Sequence, residues 1–311
     1  MHEPQGPRGR AHTSPFGGHV GPSAPAAPGT HTVAPAHDAA PPTALTIAGS
    51  DSGGSAGMHA DLRTFFSCGV HGMTAVTAVT VQNTVGVTGL VEIEPAVVAA
   101  QIDAVASDIG VDAAKTGVLA SAATIEAVVE MADKHGFGRG GRTPFVIDPV
   151  AASRSGEPLL HEDALDGLRH DAFPRATLVT PNLDEVRLLT GIEARTRADL
   201  WDAAKAIHDF GPEWVLIKSG HLPDDPECVD LLFDGEQALD LVGPRYTTEH
   251  THGAGDAFAS AITAALARGA SMPDAVRCGK RFVTRSVEHA YPLGAGVGPV
   301  STFWRVSSRS I

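Results

Sequence analysis

The chain is poor in cysteine, in aromatic residues and in positive charge, and it has no long apolar run. Its three cysteines, Cys68, Cys228 and Cys278, are odd in number and scattered, with no C-x-x-C pair. This argues against a disulfide framework, gives no zinc signature and fits a reducing compartment. No uninterrupted apolar stretch reaches the roughly 18 residues that cross a bilayer, and no basic start followed by an apolar segment marks a secretory leader. A cytoplasmic protein without a membrane partner is expected. Lys and Arg number 23 against 36 Asp and Glu, a formal net charge of −13, which argues against nucleic acid as a partner. Two familiar nucleotide loops are missing as well. The stretch "GSDSGGSAG" has no Lys-Ser/Thr of a Walker A loop, and its glycines do not fall on G-x-G-x-x-G.

What is present is a sizeable apolar complement, 43% of 311 residues, distributed unevenly. Residues 1–42, with "GPSAPAAPGTHTVAPAHDAAPP", are rich in Pro, Ala, Gly and His and nearly free of large aliphatic side chains. They are expected to be a disordered tail, because they bury too little to offset the entropy of ordering. From residue 43 on, apolar strands alternate with amphipathic helices. "ALTIAGS", "MTAVTAVTV", "DAAKTGVL", "PFVIDPV", "ATLVTPN" and "EWVLIKSG" read as strands. "SAGMHADLRTFFSCG", "EPAVVAAQIDAVASDIG", "SAATIEAVVEMADKHG", "LDEVRLLTG", "TRADLWDAAKAIHDFG" and the stretches 254–269 and 273–290 read as helices, and "CVDLLFDGEQALDLV" as a hairpin turning at Asp234-Gly235. The alternation predicts one α/β domain over 43–311, with a mainly parallel sheet covered on both faces.

In such sheets ligands bind beyond the carboxyl ends of the strands. The strand ends carry Gly49-Ser50-Asp51, Gln82-Asn83, Lys115-Thr116, Asp148-Pro149, Thr180-Pro181-Asn182 and Lys218-Ser219-Gly220. The first glycine loop reads either as a cradle of backbone N–H groups for a small ligand or as a tight strand-to-helix turn. Asp61, early in the next helix, either faces the pocket or is a solvated helix acid. "THGAGDAF" is the strongest signal. Gly253 and Gly255 permit positive φ and, with Ala254, a nest of N–H groups running into a helix N-terminus, where an anion is favoured. Asp256 in that positive end reads either as a capping acid or as a general base for an alcohol attacking phosphorus. Asp148 and Glu185 suit Mg²⁺, which takes one or two carboxylates plus waters and phosphates, although Glu185 also suits a first helical turn. Lys218, ending an apolar strand, needs an anion, either a phosphate or a structural carboxylate.

Taken in order, "ALTIAGSDSGGSAGMHADLRTF", "VTAVTVQNTVGV", "AAKTGVL", "VIDPV", "LVTPNLDEVRLL", "VLIKSGH", "THGAGDAFASAI" and "GAGVGPV" resemble the hydroxymethylpyrimidine/phosphomethylpyrimidine kinases of thiamine synthesis, within the ribokinase-like superfamily. The resemblance covers most of residues 44–303. It implies a three-layer α/β/α sandwich and an ATP- and Mg²⁺-dependent enzyme, usually a homodimer. Such an enzyme phosphorylates 4-amino-5-hydroxymethyl-2-methylpyrimidine and then its monophosphate. Carried over residue by residue, it assigns Gln82 and Asp61 to the aminopyrimidine, with Gly49 approaching through its backbone and Val118 and Val150 as apolar walls. It assigns Asp148 and Glu185 to Mg²⁺, Asn182, Lys218 and Lys280 to ATP, and Gly253, Ala254 and Gly255 to the anion hole beside Asp256. A requirement for K⁺ stays open.

Two positions depart from the family pattern. Asp256 stands where many members carry Cys in a GTGC-type motif, and Val118 stands where Met is common. Asp is the base of the wider superfamily, so phosphoryl transfer is retained. The substitution also brings pyridoxal kinase in as an alternative, since those enzymes use Asp. An alternative of another class is a catalytically silent ligand-binding module on the same fold.

Overall fold

The computed structural model describes residues 40–153, 156–161, 163–220, 222 and 227–306. The expected tail, apart from its last three residues, lies outside the described residues. The described residues from 41 on form one compact unit. Its elements in chain order are β1 (Thr43–Ser50), α1 (Gly57–Ser67), β2 (His71–Gln82), β3 (Val87–Glu92), α2 (Pro95–Asp108), β4 (Ala113–Thr116), α3 (Ala122–His135), β5 (Phe145–Ile147) and α4 (Ala164–Gly167). After α4 come a π turn (Leu168–Ala172) and a 3-10 turn (Phe173–Arg175). Then follow β6 (Leu178–Val179), α5 (Leu183–Thr190), α6 (Arg197–His208), β7 (Trp214–Ile217), β8 (Glu227–Phe233), β9 (Ala238–Pro244), α7 (Ala254–Ala267), α8 (Met272–Glu288) and α9 (Phe303–Val306).

Among the described residues nine strands form one sheet in the order β3-β2-β1-β4-β5-β6-β7-β8-β9. The central run from β2 to β7 is parallel, while β3, β8 and β9 join antiparallel. Side chains alternate across the sheet with the two-residue period of a strand. Phe145, Ile147, Val179, Val215 and Ile217 belong to a core shared with α2, α3, α5 and α6. Val146, Leu178 and Leu216 face the other way, against Phe258 and Ile262 of α7 and Val276 of α8. Two apolar faces, each covered by helices, make the three-layer α/β/α sandwich expected of a ribokinase-like chain.

The local signals mostly landed. Ser121 caps α3 by accepting from the Thr124 N–H, Pro95 opens α2, and the hairpin turns at Gly235, whose φ is +99°. Three segments were not foreseen, among them the four-residue α9 (Phe303–Val306). β3 carries Gly89 and is half open at the sheet edge, so its pattern is weak. The short run from α4 through the π turn is too brief and too polar to show a helical period.

Candidate active site

The two glycine loops meet backbone to backbone. Beyond β1 the loop is organised by Asp51, a buried acid whose carboxylate accepts from the N–H groups of Gly53, Ser55 and Ala56, each at 2.8 Å. Gly253, the N-cap of α7, has φ +77°. A Cβ there would lie 2.0 Å from the Ser55 carbonyl oxygen, so only glycine permits this approach. The expectation for Gly255 needs correction. Gly255 is inside α7 and is not among the positive-φ glycines. A Cβ there would come 3.3 Å from the Lys218 Nζ, so its absence makes room for the lysine. Ala254 opens the helix proper.

Behind this turn lies a chain of buried charges. Lys115 in β4 and Asp61 in α1 are both fully buried and 2.8 Å apart. Asp61 also accepts from Thr46 Oγ1 at 2.6 Å and Ser260 Oγ at 2.5 Å. The expected part of Asp61 in recognising the pyrimidine is therefore corrected: its oxygens are turned into the protein and engaged by three donors. The other neighbour of Lys115 is Asp256, with Nζ 3.9 Å from Oδ1. The Asp256 side chain keeps 15% of its surface exposed, so it is reached by solvent from an otherwise dry setting. Burial raises its carboxyl to about 6, opposed by Lys115 and reinforced by the neighbouring carboxylates Asp61 and Asp148.

A second buried pair stands alongside. Lys218 Nζ lies 2.6 Å from Asp148 Oδ1, which also accepts from Thr180 Oγ1 at 3.0 Å. Glu185 and Asn182 form a capping box at the start of α5: the Asn182 side chain accepts from the Glu185 N–H, and Glu185 accepts from the Asn182 N–H at 2.7 Å. Burial pushes the Glu185 carboxyl up to about 8, with Lys218 opposing and Asp148 adding to the rise. Of the two readings of Lys218, the structure shows the carboxylate partner, Asp148, and its ammonium lies close to Gly255 at the start of α7. Lys280 needs correction as a nucleotide contact. Its ammonium is buried against Asp230 at 2.7 Å and the Cys228 carbonyl at 2.9 Å, and Asp230 in turn accepts from the Ser219 N–H. Lys280 braces the strand end that carries Lys218.

On the other side of the nest, Gln82 ends β2 with its Nε2 3.3 Å from His252 Nε2 and its Oε1 3.2 Å from Thr80 Oγ1. Gln82 and His252 line a cleft with Asn83, Thr84, Val85, Gly86 and Val297. The glycines of "GAGVGPV" let that terminal segment lie against Thr84, whose carbonyl accepts from the Val297 N–H at 3.0 Å. Gly49 and Val118 adjoin, since a Cβ on Gly49 would be 3.9 Å from the Val118 Cβ. Val150 lies two residues past Asp148, partly exposed, with its N–H donating to the Asp148 carbonyl. Sequence reasoning gave no role to Lys115 or His252. A lysine in the buried strand "AAKT" was the available signal for the first.

The family model for phosphomethylpyrimidine kinase matches residues 51–301. The chain belongs to the phosphomethylpyrimidine kinase family. It is 52% identical over 267 residues to the hydroxymethylpyrimidine/phosphomethylpyrimidine kinase of Mycobacterium tuberculosis, covering 86% of this chain and 96% of that one. It is 42% identical to the protein of the same name from Bacillus subtilis, covering 84% and 94%. Among solved structures it resembles an ADP complex of Bacillus subtilis pyridoxal kinase, at TM-score 0.78 and 37% identity over 85% of this chain and 98% of that one. It also resembles the phosphomethylpyrimidine kinase of Clostridium difficile, at TM-score 0.68 and 36% identity over 78% and 97%. As a member of this family, the chain is a kinase.

The raised Glu185 carboxyl has a consequence for stability. It holds a proton in the folded chain, and loses it in the unfolded chain, between its ordinary value of 4.5 and about 8. The Glu185 contribution to stability therefore falls as pH rises through that window. Glu185→Gln keeps an acceptor for the Asn182 N–H and removes the titration. Melting curves without nucleotide should show the Tm of the variant gaining on the wild type from pH about 5 to about 8. A constant difference would contradict the assignment.

Proposed function

We propose that this kinase transfers the γ-phosphoryl group of ATP to the hydroxymethyl oxygen of 4-amino-5-hydroxymethyl-2-methylpyrimidine, and then a second phosphoryl group to that monophosphate, in thiamine biosynthesis. The observation that carries the reading is Asp256. It is a largely buried carboxylate in the first turn of α7, directly after a glycine-capped N-terminus that favours anions, and 15% of its side chain stays exposed. The names of the relatives support the same substrate.

Gln82, paired with His252 beside the nest, presents a carboxamide that suits a ring nitrogen next to an amino group. Gly49, Val118 and Val150 frame the ring. The N–H groups of Gly253 and Gly255 serve the transferring phosphoryl oxygens, while the Ala254 N–H donates to the Thr251 carbonyl at 3.1 Å and shapes the turn. Lys218 adds positive charge, and the amide of Asn182 serves the nucleotide. As the hydroxyl oxygen bonds to the γ-phosphorus, its proton passes to Asp256. The bond from that phosphorus to the β–γ bridging oxygen breaks, and ADP leaves with the electron pair. Alignment and charge stabilisation do most of the work.

No group of three or more His, Cys, Asp or Glu that could hold a metal occurs among the described residues. The all-oxygen pair of Asp148 and Glu185 fits Mg²⁺ carried in with phosphates and waters better than it fits a resident cage. When bound, Mg²⁺ neutralises charge on the phosphates. Lys218 and Thr180 orient the Asp148 carboxylate, and the Asn182 N–H orients Glu185.

We place the enzyme in the cytoplasm as a homodimer. Val79, Val81 and Val91, exposed at the β2–β3 edge, supply an apolar patch in keeping with a partner copy. The TM-score of 0.78 favours pyridoxal as the second reading, against which stand the higher identities to pyrimidine kinases. A silent binding module has no need of a largely buried, partly exposed carboxylate just after a glycine-capped helix N-terminus.

Asp256→Asn should lower kcat by about 10²–10⁴-fold in a coupled ATP assay, with pyrimidine binding largely kept. Because the base must be ionised, wild-type kcat/KM should fall as pH drops through about 6. Undiminished turnover in the variant would remove Asp256 as the base. Gln82→Leu should weaken pyrimidine binding by about 1–3 kcal/mol, the cost of leaving ring donors and acceptors unpaired. An unchanged Kd in calorimetry would contradict its role.

A further inference from the structure

Lys115 is buried to zero exposure in β4, where an ammonium is unfavourable unless paired. Asp61 alone meets that need, at 2.8 Å, so a second carboxylate at 3.9 Å is more than the lysine requires. Asp256, in contrast, is a largely desolvated acid, and its ion pair among the described residues is with Lys115. The geometry is held from both sides. Ser260 follows Asp256 by four residues on one face of α7 and donates to the same Asp61 oxygen that Lys115 reaches. Thr46 of β1 fixes the other Asp61 oxygen. Asp61 therefore ties α7 to α1 and sets the ammonium 3.9 Å from the partly exposed Asp256 carboxylate.

We propose that Lys115 is a positioning residue of the phosphoryl transfer: anchored by Asp61, it keeps the Asp256 carboxylate charged and aimed at the substrate hydroxyl. This rests on the reading of Asp256 as the base. The charged groups acting on Asp256 come from four places in the fold: Lys115 at the end of β4, Asp61 in α1, Asp148 past β5 and Lys218 past β7. Lys115 and Asp61 act on it with opposite sign. Removing the ammonium makes the base harder to ionise. Removing the Asp61 charge leaves the ammonium to Asp256 and makes it easier to ionise.

The test compares pH profiles of kcat/KM for the wild type, Lys115→Met, Asp61→Asn and Asp256→Asn with ATP and the aminopyrimidine alcohol. The acid limb should move to higher pH in Lys115→Met and to lower pH in Asp61→Asn, by about one to three units each. A purely structural role would lower activity at every pH without moving the limb in opposite directions. If Lys115→Met does not fold, Asp61→Asn decides alone: a limb moved to lower pH supports the proposal, and an unmoved limb overturns it. Unmoved limbs in both variants, with Asp256→Asn inactive, would overturn the role of Lys115 and leave the base intact. Full turnover by Asp256→Asn would remove the base reading itself, and this proposal with it.

Discussion

The pairing of buried lysines with buried carboxylates where the central strands end is the interaction on which the rest of this structure depends. Lys115 binds Asp61 and approaches Asp256. Lys218 binds Asp148 and opposes the burial of Glu185. The negative groups outnumber the two cations, and burial lifts the two least compensated acids, Asp256 to about 6 and Glu185 to about 8. Such a cluster is costly to bury and tolerable only if every charge is held in place. The parallel sheet provides that restraint by bringing the ends of β1, β4, β5 and β7 to one edge. The excess negative charge also makes a site receptive to positive charge carried in with a nucleotide.

The second constraint is steric. Gly253 takes a left-handed conformation against the Ser55 carbonyl, and Asp51 gathers three N–H groups to shape the opposing loop. The turn that opens α7 and the first glycine loop thus meet in one close backbone approach. The Gln82–His252 pair extends it, since His252 precedes Gly253 in the chain and Gln82 closes β2. The residues proposed for ring and phosphate recognition are thereby linked through the adjacent positions His252 and Gly253.

Most of this arrangement was legible in the sequence where the signal is local. Glycine before a helix located the turn that opens α7, and polar residues ending apolar runs placed Asp148, Lys218 and Gln82 at the strand ends. The misread residues are those whose meaning depends on a distant partner. Asp61 stands early in a helix like any solvated acid, and only the approach of Lys115, 54 positions away, turns it inward. Lys280 sits on an amphipathic helix, and its carboxylate partner belongs to β8. Gly255 reads as a backbone residue, although what it provides is the space for Lys218. The strand "AAKT" held a usable clue, because a lysine buried on both sides must have an acid nearby.

The central claim is that this charged cluster serves an alcohol borne on an aminopyrimidine. It is tested most directly by incubating the purified protein with Mg-ATP and either the aminopyrimidine alcohol or pyridoxal, with products resolved as mono- and diphosphate. The account predicts ADP release that depends on the aminopyrimidine, with the monophosphate formed first and the diphosphate after it. Turnover of pyridoxal alone, or no ATP consumption with either alcohol, would contradict it.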